Sequence, residues 1–367
     1  MRGIRSADPA EKAVPYPSPD ALPADADDLF ATADSLFATR LWWRTVLSDA
    51  MPEGAEAGFV LCLTAGKATG LFPLLRTPGA RWTSFTTPYT CRYTPLIALD
   101  SNPVAVCIAF ARQCRGNAVT RLDALPAEWP HLDALIAGAE RAGLSVRRFD
   151  HFGNWHESVA GLGWSGYLAS RPGALRETIR RRLRRADRMT EARFTLIDGE
   201  DGLEPAIAAF EAVYAKSWKD PEPFPRFNAA LMRTAAGVGV LRLGIWWIGD
   251  QPVAAQFWIV EHGQATVLKL AHDDAFKAHS PGTVLTATML RHLLDRDGVT
   301  EIDFGRGDDP YKRDWAGERR QRIGLLLIDP RRPAGLLALL RHDMGRLRAR
   351  LSRSAASAPP AGSGGSQ

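Results

Sequence analysis

Ionisable side chains are concentrated in residues 303–315 of the sequence, which read DFGRGDDPYKRDW. Crowded carboxylates raise one another's affinity for protons, and a base that works near neutral pH needs a carboxylate with a raised pKa. We therefore predict that Asp308 is a general base, because the glycine before it leaves it free to face a cleft. Tyr311 is predicted to protonate a leaving group, and Asp303 and Lys312 are further catalytic candidates. The alternative is a solvated loop whose opposite charges pair with one another.

A second candidate feature is the start of a helix after the tetrapeptide SPGT, residues 280–283. Ser280 occupies an N-cap position, and the proline after it suits the first helical position. The backbone N–H groups of Gly282 and Thr283 then lack helical partners and could bind an anion such as a phosphate. Lys277 and His279, just before the helix, would add positive charge. The alternative is an ordinary helix start in which the serine side chain satisfies these amides.

These two features are held by a predicted series of strands in the second half of the chain. Glycine-containing turns at 249–250 and 261–263 separate three of the apolar runs and predict tight antiparallel hairpins. Gln256 is a polar residue inside one apolar run, so it either satisfies a neighbour in the core or points into a cleft. The predicted strands cover residues 193–197, 240–248, 252–260, 265–270, 299–304 and 322–328.

Three segments together resemble a known family. They are PVAAQFWIV (252–260), ATVLKLAHDDAFKAHSPGTVL (265–285) and EIDFGRGDDPYKRDWAGERR (301–320). In combination they resemble the CelD/FemAB-like acyltransferases of the GNAT (GCN5-related N-acetyltransferase) superfamily, which occur in bacterial polysaccharide gene neighbourhoods. The resemblance is specific from about residue 175 to 328 and weaker from 35 to 164.

The resemblance implies an α/β (α+β) fold of two GNAT-like modules, each a mixed, mainly antiparallel sheet flanked by helices. It also implies an acyl-CoA donor, acetyl-CoA or another acyl-CoA, with its pyrophosphate at the loop before the SPGT helix. Strand amides near Leu270 and Ala271 would polarise the thioester carbonyl, and Gln256 would face the cleft. No metal is expected to take part.

Composition indicates an ordinary folded protein with a mildly basic balance. The 367 residues are 46% hydrophobic and 24% charged, with a net charge of +5. A mild positive charge fits anionic ligands, whereas a protein specialised for nucleic acid would be more basic. The four cysteines show no paired metal-binding spacing and three lie in apolar or aromatic surroundings, which predicts reduced thiols and a cytoplasmic location.

Pattern and composition divide the chain into five parts. The first residues carry neither apolar periodicity nor the apolar core of a signal peptide, and the last are rich in Ser, Ala, Gly and Pro. The predicted parts are a disordered leader (1–28), an N-terminal GNAT-like module (29–165), a C-terminal GNAT-like acyltransferase module (166–333), a basic amphipathic helix (334–352) and a disordered tail (353–367).

Two basic helices leave alternatives open. The arginine-rich segment 171–193 has one narrow apolar stripe, so it could bridge the two modules, dock tRNA or another anionic polymer, or contact a membrane surface. The helix 334–352 carries a leucine face opposite several arginines, and it could pack on its own domain, bind a partner or lie on anionic lipid. The defaults are a solvated bridge for the first helix and packing on its own domain for the second.

The function predicted from these observations is transfer of an acetyl or other acyl group from acyl-CoA to an amine or hydroxyl. A saccharide in polysaccharide biosynthesis is one candidate acceptor, and the aromatic residues Phe85, Tyr89 and Tyr93 either line an acceptor groove or fill the core. Two alternatives remain. One is a Fem-type aminoacyl transferase that uses aminoacyl-tRNA, the only case in which nucleic acid is an expected partner. The other is a binding protein that has the fold without the chemistry.

Overall fold

A computed structural model describes residues 11–79 and 81–356, with side chains as far as residue 345. Over these ranges the chain forms one thirteen-stranded sheet with helices on both faces. The strands are β1 (Glu11–Tyr16), β2 (Glu56–Thr64), β3 (Lys67–Thr77), β4 (Arg81–Ser84), β5 (Leu96–Ile97), β6 (Val119–Pro126), β7 (Ser145–Ser158), β8 (Ala192–Ile197), β9 (Leu241–Ile248), β10 (Gln251–Glu261), β11 (Gln264–His272), β12 (Glu301–Asp303) and β13 (Glu318–Ile328).

The helices separate into groups that cover different parts of the sheet. They are α1 (Arg40–Asp49), α2 (Pro103–Cys114), α3 (Leu132–Arg141), α4 (Trp164–Ser170), α5 (Gly173–Ala186), α6 (Leu203–Ala215), α7 (Phe227–Gly237), α8 (Pro281–Asp295), α9 (Lys312–Trp315) and α10 (Pro333–Ala356). Helices α1, α6 and α7 share one apolar cluster, α2 and α3 a second, and α4, α5 and α8 a third.

The central strands read as continuous apolar runs because both of their faces are covered. In β2, Phe59 and Leu61 pack with α1, whereas Val60 and Cys62 point to the other side and pack with α2 and α3. Strand β10 alternates in the same way between the α6–α7 side and the α8 side. The predicted α/β (α+β) class, with a mainly antiparallel sheet flanked by helices, is confirmed.

Two halves of the sheet repeat the same order of elements. The strand order is β1-β2-β3-β4-β6-β13-β7-β12-β11-β10-β9-β8, and the parallel pairs are β4 with β6 and β11 with β12. A helix follows the first strand of each parallel pair, α2 in one half and α8 in the other. The last strands are exchanged, since β13 pairs with β6 and β7 pairs with β12. A module boundary at residue 165 stays a prediction, and the sheet runs continuously across it.

The predicted disordered leader is wrong for residues 11–28. The whole of strand β1 pairs with β2, from Glu11 opposite Thr64 to Tyr16 opposite Phe59. Pairing with a distant strand satisfies the backbone without any apolar period in the segment itself, which is why its composition gave no signal. Short 3-10 helices follow and bury Leu22 and Leu29. Residues 1–10 of the predicted leader lie outside the described residues.

The two basic helices differ in how they are packed. Helix α5 buries Ile179 and packs against α8, so it is attached to the second half of the sheet. Helix α10 buries Leu339, but four other large apolar residues on it are 46–55% exposed, so packing on its own domain accounts for only part of its apolar face. These residues are Leu336, Leu337, Leu340 and Met344. Helix α10 continues to Ala356, and residues 357–367 of the predicted tail lie outside the described part of the chain.

No helix within residues 11–79 and 81–356 combines the length and the apolar character needed to cross a membrane.

Candidate functional site

The parallel strands β11 and β12 separate and leave a cleft between them. Their last paired residues are Thr266 and Asp303, after which β11 continues to His272 paired only with β10. Gly305, with φ +65°, turns the segment that follows β12 away from β11 at this point. A Cβ at Gly305 would lie 2.3 Å from the carbonyl oxygen of Val267, so only glycine allows this approach. The resulting cleft has a volume of about 190 Å³.

One wall of the cleft is β11 and the other is the segment that follows β12. Residues 267–270 of β11 face the segment 304–312, and Tyr89 closes one end from the first half of the chain. The paired edge of β11 is occupied by β10, with Leu270 opposite Gln256 and Ala271 opposite Ala255. Beyond Thr266, no described strand pairs with the other edge of β11. The predicted Leu270 and Ala271 therefore lie on a strand whose second edge is open to the cleft.

Helix α8 starts without a side-chain cap. Ser280 occupies the N-cap position, as predicted, in a left-handed conformation with φ +54°. Its side chain makes no capping hydrogen bond, so the alternative in which the serine satisfies the first amides is wrong. The first bond of the helix is from the Val284 N–H to the Ser280 carbonyl at 3.1 Å. The N–H groups of Gly282 and Thr283 precede this bond and are left for a ligand or for water.

The equivalent helix of the first half is capped. Asn102 precedes α2, and its Oδ1 accepts from the N–H groups of Val104 and Ala105 at 3.1 and 3.3 Å. The two helices occupy the same place in the repeated order of elements, but only α8 keeps uncapped first-turn amides. An anion at the helix N-terminus is therefore favoured in the second half of the chain.

Positive groups lie beside the start of α8. Lys277 is exposed on the 3-10 segment Asp274–His279, and the half-buried His279 has an Nδ1 atom without a hydrogen-bond partner. Arg185 Nη1 donates to the Ala278 carbonyl at 3.3 Å, which attaches α5 to this segment. The structure thus brings Lys277 and His279 to the N-terminal end of α8, as the sequence predicted, and adds the arginine helix to them.

Asp303 is part of a buried polar network. Its Oδ1 accepts from Asn154 Nδ2 and from the Gly305 N–H, both at 2.6 Å, and its Oδ2 accepts from Arg320 Nη2 at 2.5 Å. Burial alone would raise its pKa, but the guanidinium groups of Arg320 and Arg322 hold the pKa below its usual value. Asp303 is thus an ionised, fully bonded group that fixes the end of β12. This arrangement does not suit a proton acceptor.

Asp308 does not face the cleft, so the prediction based on its glycine neighbour is wrong. Its Oδ2 accepts from Arg319 Nη2 at 2.7 Å and its Oδ1 from Trp155 Nε1 at 2.6 Å, on the exposed side of the loop. The Arg319 side chain lowers the pKa of Asp308, although crowding had predicted a raised value. The long-range partner on β13 outweighs the neighbouring carboxylates.

The cleft instead receives the next carboxylate. Asp309 is the one acidic residue among the described residues that line the cleft. Its Oδ2 lies 3.0 Å from Nζ of Lys312, a buried residue that also donates to the Arg306 carbonyl at 2.8 Å. Lys312 therefore fixes the loop and orients Asp309. Tyr311 lines the same cleft, and burial of its phenol together with the charge of Asp309 raises the pKa of Tyr311.

Gln256 is a core residue. Its Nε2 donates to Thr286 Oγ1 at 2.6 Å and its Oε1 accepts from Trp258 Nε1 at 3.0 Å, so the prediction that it faces the cleft is wrong. Thr286 in turn donates to the Gly282 carbonyl at 2.8 Å. Through Thr286, Gln256 supports the first turn of α8 from inside.

Sequence reasoning missed a cluster at the mouth of the cleft. Lys269 Nζ lies 2.6 Å from Glu222 Oε1 and 4.7 Å from the centre of the Tyr89 ring. The Tyr89 hydroxyl donates to the Phe224 carbonyl at 3.3 Å. Glu222 has a lowered pKa because Lys269 and the neighbouring hydroxyls of Tyr214 and Tyr89 outweigh its burial. Of the three predicted groove aromatics, Tyr89 lines the cleft, whereas Phe85 and Tyr93 are buried in the core. The sequence signal that could have indicated this cluster is Lys269, a lysine inside an otherwise apolar strand.

Comparisons with known proteins agree with this geometry. Residues 173–313 match the family model described as an acetyltransferase (GNAT) domain. No curated protein matches the sequence. The fold is similar to that of FemX, with 11% identity over 84% of this chain and 96% of that chain and a TM-score of 0.56.

Two further structures share the fold. One is the C-terminal domain (DUF2156) of a putative lysylphosphatidylglycerol synthetase from Agrobacterium fabrum, 13% identical over 86% of this chain and 96% of that one, with a TM-score of 0.54. The other is a tandem GNAT protein from the clavulanic acid biosynthesis pathway, 13% identical over 87% and 99% of the two chains, with a TM-score of 0.53. The repeated halves of the sheet agree with this similarity in fold, and residues 173–313 match the acetyltransferase (GNAT) domain.

Proposed function

We propose that this protein transfers an acyl group, acetyl in the simplest case, from acyl-CoA to an amine or hydroxyl acceptor. The observation that carries the proposal is the alignment of an open strand edge with an uncapped helix. The free edge of β11 runs to His272, whose ring lies beside Gly282 at the start of α8, and there the N–H groups of Gly282 and Thr283 have no partner in the helix.

The residues present fit an acyl-CoA donor. The amides of Gly282 and Thr283 would hold the pyrophosphate, with Lys277 and His279 adding positive charge. A Cβ at position 282 would meet only His272 Nδ1, at 3.3 Å, so the glycine leaves this approach to the backbone open. Successive strand amides point to opposite edges, so one of the two amides at Leu270 and Ala271, the one directed away from β10, would polarise the carbonyl. When bound, acyl-CoA supplies a thioester carbon for attack and a thiolate as leaving group.

The chain's own acid and base come from the loop after β12. Asp309 takes the proton from the attacking N–H or O–H of the acceptor, and Lys312 holds the carboxylate in place. Tyr311, whose phenol is protonated near neutral pH and lines the cleft, donates its proton to the departing sulfur. One carbon–sulfur bond breaks, one carbon–nitrogen or carbon–oxygen bond forms, and the proton gained by Asp309 balances the proton lost by Tyr311.

A binding measurement tests the proposal. Acetyl-CoA should raise the melting temperature, because a ligand that binds only the folded state stabilises it by mass action. Gly282→Asp should abolish the shift by placing a carboxylate against the phosphates, whereas Gly282→Ala, which adds only a methyl group, should keep most of it. An equal shift in melting temperature for wild type and Gly282→Asp would show that the donor does not bind at this helix. No shift in wild type would overturn the acyl-CoA assignment.

A second candidate is supported by one specific observation. The outer face of α5 exposes arginines with little acidic compensation, as a surface for tRNA would. These residues are Arg180, Arg181, Arg184 and Arg185, and the exposed Arg188 follows just after the end of the helix. A Fem-type aminoacyl transferase would use this surface for aminoacyl-tRNA. A saccharide acceptor, a role in polysaccharide biosynthesis and a cytoplasmic location are further parts of the primary proposal.

A further inference from the structure

A larger cavity adjoins the cleft and shares two polar residues with it. This cavity, of about 1,110 Å³, lies between α6 and α7 and the loop that joins them. Lys219, on the joining loop, and Asn228, in the first turn of α7, line both spaces. We call it the α6–α7 cavity. The two spaces therefore meet at these two side chains, and Tyr311 and Asp309 are among the other residues that line the cleft.

Asn228 is a buried amide without a full set of partners. The residue is 5% exposed, and its Oδ1 makes no hydrogen bond within the described part of the chain. A buried amide oxygen that loses water without gaining a donor is destabilising, so natural structures usually satisfy such groups. Its position on the wall of two cavities makes a hydroxyl or amine of a ligand the fitting donor.

Lys219 is a cation without a carboxylate partner. Its Nζ makes no hydrogen bond or ion pair with any described residue, and its recorded contact is with the Trp218 ring, 5.7 Å from the ring centre. Burial and the positive charge of Lys269 lower its pKa. The nearby carboxylates are already engaged, Glu222 by Lys269 at 2.6 Å and Asp309 by Lys312 at 3.0 Å.

The other cations of the cavity are paired, which sets Lys219 apart. Arg226 lies 3.4 Å from Asp49, and Arg233 forms a two-bond pair with Glu204. An anionic group that entered the cavity would therefore find one ammonium group free to bind it. Because the site is partly closed from water, such a charge-assisted bond is stronger than at an open surface.

We propose that the acyl acceptor carries an anionic group, a phosphate or a carboxylate, that is bound by Lys219, and a hydroxyl or amine that donates to Asn228. This inference rests on the proposed acyl transfer, which assigns the α6–α7 cavity to the acceptor. Phe210, Pro221 and Pro225 add an apolar wall, and the volume exceeds what a small amine needs. The acceptor class is thus an anionic molecule of about monosaccharide size or larger.

Matched pairs of probes test the inference by calorimetric binding to the full chain. D-glucosamine 6-phosphate is compared with D-glucosamine, and L-serine with L-serinamide, so that each pair differs only in its anionic group. We expect at least one anionic member to bind roughly tenfold or more tightly than its neutral counterpart. The phosphate pair and the carboxylate pair tell the two sources of negative charge apart.

Two variants assign the effect to residues. Lys219→Met should remove the preference for the anionic member, whereas Asn228→Ala should weaken both members of a pair alike. Lys67→Met is the matched control, since Lys67 is an exposed lysine paired with Asp100 far from the cavity. Melting temperatures of all variants check that they fold. If wild type shows no preference in either pair, or if Lys219→Met keeps it, the inference is overturned.

The donor measurement separates this inference from the proposed function. A melting shift with acetyl-CoA together with no Lys219-dependent preference overturns the inference and leaves acyl transfer standing. The opposite result, a Lys219-dependent preference without an acetyl-CoA shift, supports an anion site here and overturns the donor assignment.

Discussion

Arg320 on β13 donates to Asp303 at the end of β12, with Nη2 2.5 Å from Oδ2, and neither strand is the sheet neighbour of the other. Strand β7 lies between them and contributes Asn154, which donates to the same carboxylate at 2.6 Å and accepts from Arg320 Nε at 2.6 Å. One buried carboxylate thus ties three strands together at the base of the cleft. Its role is structural, and this leads to the first prediction.

Asp303→Asn should destabilise the protein by about 3 kcal/mol, because it removes the buried carboxylate of the network and leaves Arg320 with only the partly exposed Glu301 as counter-charge. Equilibrium unfolding in urea measures the change. Asp308→Asn is the matched control, since it breaks a surface pair with Arg319 and should cost less than about 1 kcal/mol. Equal losses of unfolding free energy in the two variants would show that burial of Asp303 does not determine its contribution to stability.

Acid should remove the contribution of Asp303 to stability. Its folded-state pKa lies below the ordinary value of 3.8, so the ionised carboxylate stabilises the fold above about pH 4. As the pH falls below 3.8 and through the folded-state pKa, protonation removes this stabilisation. We therefore expect the difference in unfolding free energy between wild type and Asp303→Asn to narrow from pH 5 toward pH 2. A difference that stays constant over this range would contradict the assignment.

Neighbouring aspartates should differ sharply in their effect on turnover. Asp309→Asn and Tyr311→Phe should each lower kcat by about a hundredfold with little change in acetyl-CoA affinity, because only proton transfer is removed. Asp308→Asn should stay within a few-fold of wild type, since Asp308 is engaged by Arg319 and Trp155 outside the cleft. Thiol release with an acylated acceptor measures each rate. The reverse ranking of the two aspartates would return the base to Asp308.

Binding of aminoacyl-tRNA separates the two candidate donors. For an acyl-CoA enzyme we expect no saturable tRNA binding at about 150 mM salt, although weak binding at low salt is natural for the exposed arginines of α5. Filter binding across a salt series measures this. Tight binding that is lost when Arg180, Arg181 and Arg184 are replaced by Gln would favour the Fem-type alternative.

The sequence pattern predicted the helices, strands and loop of the site better than it predicted the partners of the side chains in the site. The N-terminal end of α8, the hairpin strands and the ionisable loop were predicted from turn residues and periodicity, which are local signals. Asp308 and Asp309 are adjacent, and which of them faces the cleft depends on Lys312 and on Arg319 of another strand. Spacing along the chain carries no information about such partners.

Buried polar groups and irregular segments were the other source of error. Gln256 looks the same in the sequence whether Thr286 or a ligand satisfies it. Lys219 and Glu222 lie in a proline-rich loop without any period, so nothing marked them as cavity residues. Strand β1 is ordered by its pairing with β2, which lies about forty residues later in the chain. Its own composition is that of a disordered leader.

The position of β13 has a consequence for how the chain is made. The N-terminal half of the chain is synthesised first. Strand β13, which lies between β6 and β7, can pair with them only when residues 318–328 have been synthesised. Until then both strands present an unpaired edge, and such edges invite pairing with other chains. A chain stopped before Glu318 should therefore aggregate, whereas one stopped after Ile328 should form the continuous sheet. The sheet of the first half can therefore be completed only after residues 318–328 of the second half have been synthesised.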